Sequence, residues 1–343
     1  MRESLQLKVH GRGNAWPVSL GQEHPFYDRE DARELANAAF SLEQWKDESL
    51  LGDILVDAGH GTVQSLLAGA NRIPHCICLT HGHMDHTLSV DWVVQSYRRF
   101  GGGAGPYPIY ATAPVYRFLL QSFPQLAALT ELRELLPGVS TALEVPGKVE
   151  VTAFPVYHGP SAAGASMLLF QTAGKKVLFT GDVLTPLLRE EDYQVLRDVD
   201  LLVADANNRF PWPRTNHWSF SGRPGKPIVR CGRIDSFLEG NDPDKLCAPH
   251  EDPDMSSVTR DYLEQFKMQW NPATQPMTVL ELVGRIGPSK VIPVHYSGSE
   301  DQKHYGADML DRDALQQWME RKGRDAGFST EFHLPLTGEI LTI

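Results

Sequence analysis

Short apolar runs separated by polar, glycine-rich or helix-patterned segments recur along the chain, and each run is short enough to be a strand. Asp53-Ile-Leu-Val-Asp57 reads as a buried strand that stops at Ala58-Gly59, with a helix expected over 62–70. A second strand is expected over 73–80, then a helix over 89–100 that runs into Gly101-Gly102-Gly103-Ala104-Gly105-Pro106, a stretch incompatible with regular structure. Residues 108–111 read as a strand, 113–121 as a helix and 149–156 as a strand. Residues 166–171 and 176–180 flank Thr172-Ala173-Gly174-Lys175 as a hairpin. Strands are expected again over 199–204 and 290–294, and 332–343 reads as a closing hairpin. This alternation of strand and helix predicts an α/β protein with helices packed outside sheet. The rhythm breaks over 207–275, which is rich in Pro, Gly, Asn, Asp and Trp. So long an irregular stretch reads as a functional loop or lid inserted in a single domain spanning 1–343.

Composition narrows the class. The chain has 343 residues, enough to bury a large core, and its 41% hydrophobic and 22% charged content is that of a soluble globular protein. A balance of 32 basic against 43 acidic residues gives a formal charge of −11, which disfavours nucleic acid and anionic membrane unless a local basic patch intervenes. Cys76, Cys78, Cys231 and Cys247 form no C-x-x-C pair; Cys76 and Cys78 alternate within an apolar run and read as buried strand residues, which suits a reducing cytoplasm. Residues 1–16 hold no long apolar segment of the secretory type, and no run approaches the length of a membrane span. The expected location is cytoplasmic, and the sequence leaves homodimerisation open.

What changes the reading is Leu79-Thr80-His81-Gly82-His83-Met84-Asp85-His86-Thr87, directly after the second strand. Three imidazoles and a carboxylate within six positions have little use in a core, whereas imidazole and carboxylate together suit zinc, and also manganese or iron. Three further polar residues follow apolar strands in the same manner: His158, Asp182 after Gly181, and His295. Taken singly, His158 would be a surface loop residue, Asp182 a helix N-cap and His295 a strand-end histidine. Strand ends converge at one rim of a sheet, however, where open α/β folds bind ligands. Beside the 81–86 loop, the three form the rest of one constellation. His24, His60, His75 and His333 have no such context and read as ordinary histidines.

The His-x-His-x-Asp-His motif at 81–86, followed by His158, Gly181-Asp182 and His295, resembles the metallo-β-lactamase-fold hydrolases in order and rough spacing over about residues 50–300. The resemblance implies a four-layer αββα sandwich with two divalent ions, zinc foremost, at one edge between the sheets. Carried over position by position, His81, His83 and His158 would hold the first ion. Asp85, His86 and His295 would hold the second, Asp182 would bridge the two, and Asp57 would support the metal loop from behind. A carboxylate in that role fixes the tautomer of the imidazole it accepts from. The diiron oxygen and nitric oxide reductases of the superfamily carry an acidic residue where this chain has His83, so hydrolysis is favoured over redox chemistry.

Two ions about 3.5–4 Å apart lower the pKa of a shared water, and the resulting bridging hydroxide is the expected nucleophile, with Asp85 part of the catalytic centre. Three segments are similar to the ribonuclease Z and cyclic phosphodiesterase branch. These are the glycine-rich opening at 11–16, the strand at 108–111, and Pro293-Val294-His295-Tyr296-Ser297 around the last ligand. The region 200–219, with His217-Trp218-Ser219, is also similar to that branch, whose corresponding histidine acts on the scissile phosphate. Here Trp218 interrupts the pattern and Asp205 lies one place from the branch's acidic residue. His217 is read either as a proton or hydrogen-bond donor to phosphate or as a plain surface histidine. Arg214, Arg223, Lys226, Arg230 and Arg233 either grip phosphates or form a solvated loop balanced by the acidic stretch 242–254; Trp212, Trp218 and Phe220 either stack on a base or pin the loop. The preferred expectation is a small-molecule or nucleotide-like phosphodiester substrate. Alternatives are an esterase, lactonase or thioesterase, a tRNA 3′-processing endonuclease, and a non-catalytic metal-containing binding protein.

Overall fold

The computed structural model describes residues 3–15, 20–21, 35–101, 105–159, 161–206, 257–267, 276, 278–295 and 312–343. Two sheets are built from these. The first runs in the order β15 (Ile340–Thr342), β1 (Glu3–Gly11), β2 (Ala39–Lys46), β3 (Ser49–Val56), β4 (Cys76–Cys78), β5 (Tyr107–Ala111) and β6 (Thr130–Glu134). The second runs β11 (Thr185–Pro186), β8 (Val149–Tyr157), β9 (Ser166–Thr172), β10 (Lys175–Phe179), β12 (Leu201–Asp205), β13 (Lys290–Val294) and β14 (Glu331–Phe332), with β7 (Ser140–Ala142) paired to β8.

Residue alternation explains the layering. Ile54, Val56, Cys76 and Cys78 face the same inner core as Val151, Ala153, Phe170, Phe179, Val203 and Val294 of the second sheet. Their neighbours Leu55, Ile77 and Leu79 turn outward, where they pack with Val63 of α1 (Thr62–Ala68), Val90, Val93 and Val94 of α3 (Val90–Phe100), and Val115 and Leu119 of α4 (Ala113–Ser122). The second sheet does the same on its far side. Met167, Leu169, Leu178 and Leu202 meet Leu282, Val283 and Ile286 of the helix Val279–Ile286 and Leu315 and Met319 of the helix Arg312–Asp325. Period-two alternation in sheets buried on both faces therefore yields the expected four layers, helix–sheet–sheet–helix. Each fully buried Leu, Val or Phe contributes roughly 1.5–3 kcal/mol by leaving water.

Most expected elements are present within a residue or two. The Thr172–Lys175 hairpin turn holds Ala173 at φ 52° and Gly174 at φ 74°, the two left-handed positions a two-residue turn demands. Two expectations are corrected. The strand expected over 73–80 is confined to Cys76–Cys78, because from Leu79 the chain leaves the sheet to form the loop that carries the histidines. Residues 332–343 are not a hairpin: β14 pairs parallel with β13 in the second sheet, whereas β15 pairs antiparallel with β1 in the first, so this segment ties the two sheets together. Strands β1 and β2 were not among the expected elements, although Leu5, Leu7 and Val9 alternate as a half-buried strand should. No helix among the described residues is long and apolar enough to cross a membrane.

Candidate metal centre

Six strands in the two sheets deliver polar residues from their carboxyl ends. β3 is followed by Asp57, β4 by the 81–86 loop, β8 by His158, β10 by Gly181-Asp182, β13 by His295, and β12 ends in Asp205. β3 and β4 pair parallel, as do β10 with β12 and β12 with β13, so these ends fall on one rim of each sheet. The short helix α2 (Met84–Thr87) starts inside the histidine loop, with His83 as its N-cap residue.

The loop is held by backbone close approach. The N–H of Ala58 donates to His86 O at 2.7 Å, and Ser89 N–H donates to Ala58 O at 2.7 Å. A Cβ on Gly59 would lie 1.8 Å from Asp85 O, so only glycine lets the two loops touch. Gly181 sits at φ +56°, and a Cβ there would meet the Thr80 side chain at 2.6 Å. The opening turn reaches the same place, since Arg12 O accepts the backbone N–H of His295 at 2.6 Å; Trp16 lies outside the described residues.

Two groups of side chains result, His81, His83, His158 and Asp182 in one and Asp85, His86, Asp182 and His295 in the other, each with its candidate ligand atoms within 4.8 Å of one another. Asp182 belongs to both. Its Oδ2 is 3.6 Å from His81 Nε2, 3.4 Å from His158 Nε2 and 3.3 Å from His295 Nε2, while its Oδ1 is 3.2 Å from His86 Nε2. Asp85 Oδ2 lies 3.2 Å from His295 Nε2 and 3.5 Å from His86 Nε2. His83 Nδ1 is 3.3 Å from His158 Nε2.

Behind these atoms a second set of contacts fixes the rings. Asp57 Oδ1 accepts the backbone N–H of Thr80 at 2.9 Å, and its Oδ2 accepts both the Thr80 hydroxyl at 2.7 Å and His86 Nδ1–H at 2.8 Å. With its proton on Asp57, the Thr80 hydroxyl can only accept from His81 Nδ1, 3.1 Å away, which leaves a lone pair on His81 Nε2 toward Asp182. One carboxylate thus contacts a histidine of one group directly and a histidine of the other through Thr80. Asp205 was not expected in any role. It is fully buried, accepts Val183 N–H at 2.8 Å, and lies 3.6 Å from His295 Nδ1. The signal for it was present: it ends an apolar strand, as Asp57 follows one. Asp57 and His295 both have positive φ, at 57° and 61°, a left-handed backbone that non-glycine residues rarely adopt.

Carboxylates dominate the local electrostatics. Burial by itself drives His86 and His295 toward neutrality, yet Asp182, Asp85 and Asp57 raise the first well above its ordinary value, and Asp182, Asp205 and Asp85 push the second up to about 10. Burial likewise favours a neutral Asp85, but His86 and His295 outweigh it and hold the carboxyl well below its usual range. His81 goes the other way: burial and the neighbouring His86 keep it neutral, against the pull of Asp182. Such a cluster attracts positive charge, and its imidazole and carboxylate donors, without thiols, are those of zinc, manganese or iron sites. His81 Nε2 is buried without a hydrogen-bond partner, as a metal-facing nitrogen would be. The residues fit divalent ions. A small cavity of about 20 Å³, lined by Asp57, Thr80, His86, Asp182, His295 and apolar residues of both sheets, lies beside the cluster.

Residues 53–223 match the family described as Beta-lactamase superfamily domain. The whole chain also superposes on solved metallo-β-lactamase folds. YhfI from Bacillus subtilis gives a TM-score of 0.58 at 15% identity, covering 99% of this chain and 100% of that one. A diphosphatase from the PhnP family gives 0.58 at 18% identity, covering 98% and 97%. The chain has the metallo-β-lactamase fold, and its residues 53–223 match a β-lactamase superfamily domain. The superfamily match takes in Asp57, the 81–86 motif, His158 and Asp182, while His295 lies beyond it and joins the centre through β13. Among curated relatives, the Endoribonuclease YSH1 of Mycosarcoma maydis is 28% identical over 132 residues, and that of Yarrowia lipolytica 30% over 128. Each alignment covers about a third of this chain and only 14% of the relative, so the chain spans a small part of those proteins' length.

Proximity brings together every expected donor: His81, His83, Asp85, His86, His158, Asp182 and His295. The expected substrate side falls elsewhere. His217, Arg214, Trp218, Arg223 and Arg230 lie outside the described residues, as do Trp212, Phe220, Lys226, Arg233, Tyr296 and Ser297. Of the stretch expected to be an irregular lid over 207–275, the described part, Ser257–Lys267, is mainly helix, with Leu263 buried against Tyr157, Leu184 and Leu187.

Proposed function

We propose that the chain is a binuclear metal-dependent hydrolase acting on a phosphodiester. The observation that carries this reading is Asp182, whose two oxygens are shared between two complete four-residue groups. In this reading His81, His83 and His158 would hold one ion and Asp85, His86 and His295 the other, with Asp182 common to both groups. Bound there, two divalent ions supply an activated water and positive charge for a phosphoryl oxygen and a leaving oxygen, chemistry suited to in-line displacement. The protein's own part is positional. With ions bound, Asp57 would orient His86 directly and His81 through Thr80, and Asp205 faces the outer nitrogen of His295 from 3.6 Å. Asp85 adds a second carboxylate to the half-centre of His86 and His295, strengthening its hold on a hard divalent ion. His217 is assigned a hydrogen bond to a phosphate oxygen, and Arg214, Trp218, Arg223 and Arg230 contacts with the rest of the substrate.

The phosphodiester reading draws support from the proteins this chain resembles, two endoribonucleases and a diphosphatase among them. The formal charge of −11 favours a small phosphodiester over a long polyanion. The experiment is a turnover panel on the Zn²⁺- or Mn²⁺-loaded chain: a bis-aryl phosphate, a cyclic nucleotide, an RNA oligonucleotide, an aryl ester and a lactone. Metal-dependent hydrolysis of the first two is expected. Cleavage of RNA alone would move the substrate to polynucleotides, and turnover of only the ester or lactone would overturn the phosphodiester reading.

A further inference from the structure

The centre's histidines do not all face it in the same way. His81, His86 and His295 turn Nε2 inward to Asp182; Nδ1 of the first two meets Thr80 and Asp57, and that of His295 faces Asp205 at 3.6 Å. His83 is reversed. Its Nδ1 faces His158 Nε2 at 3.3 Å, and its Nε2 lies 3.0 Å from the hydroxyl of Ser161, three residues after His158 in the loop leaving β8. His83 is also the half-buried member of its group, the other three being buried. Its outer nitrogen meets the hydroxyl of an exposed serine.

We infer that Ser161 is a positioning residue for metal capture, resting on the two-ion reading above. A neutral imidazole has one protonated and one free nitrogen. For His83 Nδ1 to offer its lone pair, the proton must sit on Nε2, and the Ser161 hydroxyl accepts it there. If the hydroxyl instead donated to Nε2, the proton would be on Nδ1 and the ring could not serve as a ligand. By accepting that proton, Ser161 supports the ligating tautomer and holds the ring edge toward His158. The His83 carbonyl accepts from Thr87 Oγ1 at 2.9 Å, and its ring packs against His81, His158 and Phe118. The pairing also ties the two loops of one half-centre together, because His83 follows β4 of the first sheet and Ser161 follows β8 of the second. The Asp85, His86 and His295 group has carboxylates behind its rings, and so should not depend on this serine.

The test is Zn²⁺ binding to the full chain by competition with a chromogenic chelator, on wild type, Ser161→Ala and Ser161→Thr. Wild type should take two ions. Ser161→Ala should weaken one of them about tenfold and leave the other unchanged, and Ser161→Thr should restore it. In parallel, the zinc-loaded wild type should show a slowly exchanging imidazole Nε2–H resonance assigned to His83, weakened or lost in Ser161→Ala and present in Ser161→Thr. Two ions bound by Ser161→Ala as tightly as by wild type would overturn the role of Ser161. A wild type that binds no zinc, or a single ion, would instead overturn the two-ion reading. Circular dichroism of the zinc-free variants should match wild type; a lost fold in Ser161→Ala with a normal Ser161→Thr would make the serine structural and overturn the inference.

Discussion

The 81–86 loop and the strand ends of the second sheet build the same centre by opposite means. In the loop, four donors lie within six residues, set in register by one short helix and locked through a single carboxylate, Asp57. In the second sheet, His158, Asp182, Asp205 and His295 arrive from four strands, and the pairing of β8 through β13 alone brings them to one rim. A local device fixes one side and long-range sheet register fixes the other. The difference predicts where the centre is fragile: damage behind the loop should reach both groups, damage behind a strand end only one.

The largest effect is expected at Asp57. Its removal leaves the buried Thr80 N–H and hydroxyl and His86 Nδ1–H without their acceptor, and alanine must then adopt φ 57°. Asp57→Ala should cost about 3 kcal/mol or more of stability by urea unfolding. Asp57→Asn tolerates the backbone and keeps one acceptor oxygen, so it should fold yet bind both ions more weakly. If Asp57→Asn weakened only one ion, the shared support from the loop side would be refuted.

Asp205→Asn should be milder and one-sided. This carboxylate faces the ring of His295, so a 10–100-fold loss of affinity for one ion is expected, with stability little changed. Equal weakening of both ions would erase the contrast between loop and strand ends.

The effect smallest at neutral pH lies away from the metals, in the first sheet. His10 bridges Ser41 and Ser65 by 2.9 Å contacts on both ring nitrogens, and burial, aided by Lys8, lowers its pKa to about 3. As pH falls from about 6.5 to about 3, the unfolded chain takes up a proton that the folded one refuses, so stability drops across that window. His10→Asn should flatten this dependence of the urea midpoint on pH. An unchanged slope would mean that His10 does not titrate on unfolding.

What could be read from the sequence follows the same division. The loop donors were legible because they are contiguous, and His158, Asp182 and His295 because each follows an apolar run. The layering was legible from alternation, as in Ile54-Leu55-Val56. Asp205 was legible only as a strand end; its pairing with His295 depends on β12 lying beside β13. The reversed ring of His83 and its serine partner depend on loop conformation, for which no periodicity exists. The 332–343 segment misled because a hairpin and a crossover between sheets share the same local pattern, and only pairing with β1 separates them.

The central claim is that Asp182 joins two ion sites into one centre, and metal content tests it most directly. Purified, zinc-reconstituted chain should hold two ions, and Asp182→Ala, with its fold retained by circular dichroism, should lose tight binding of both. Two ions still tightly bound in Asp182→Ala, or a wild type that saturates at one, would contradict it.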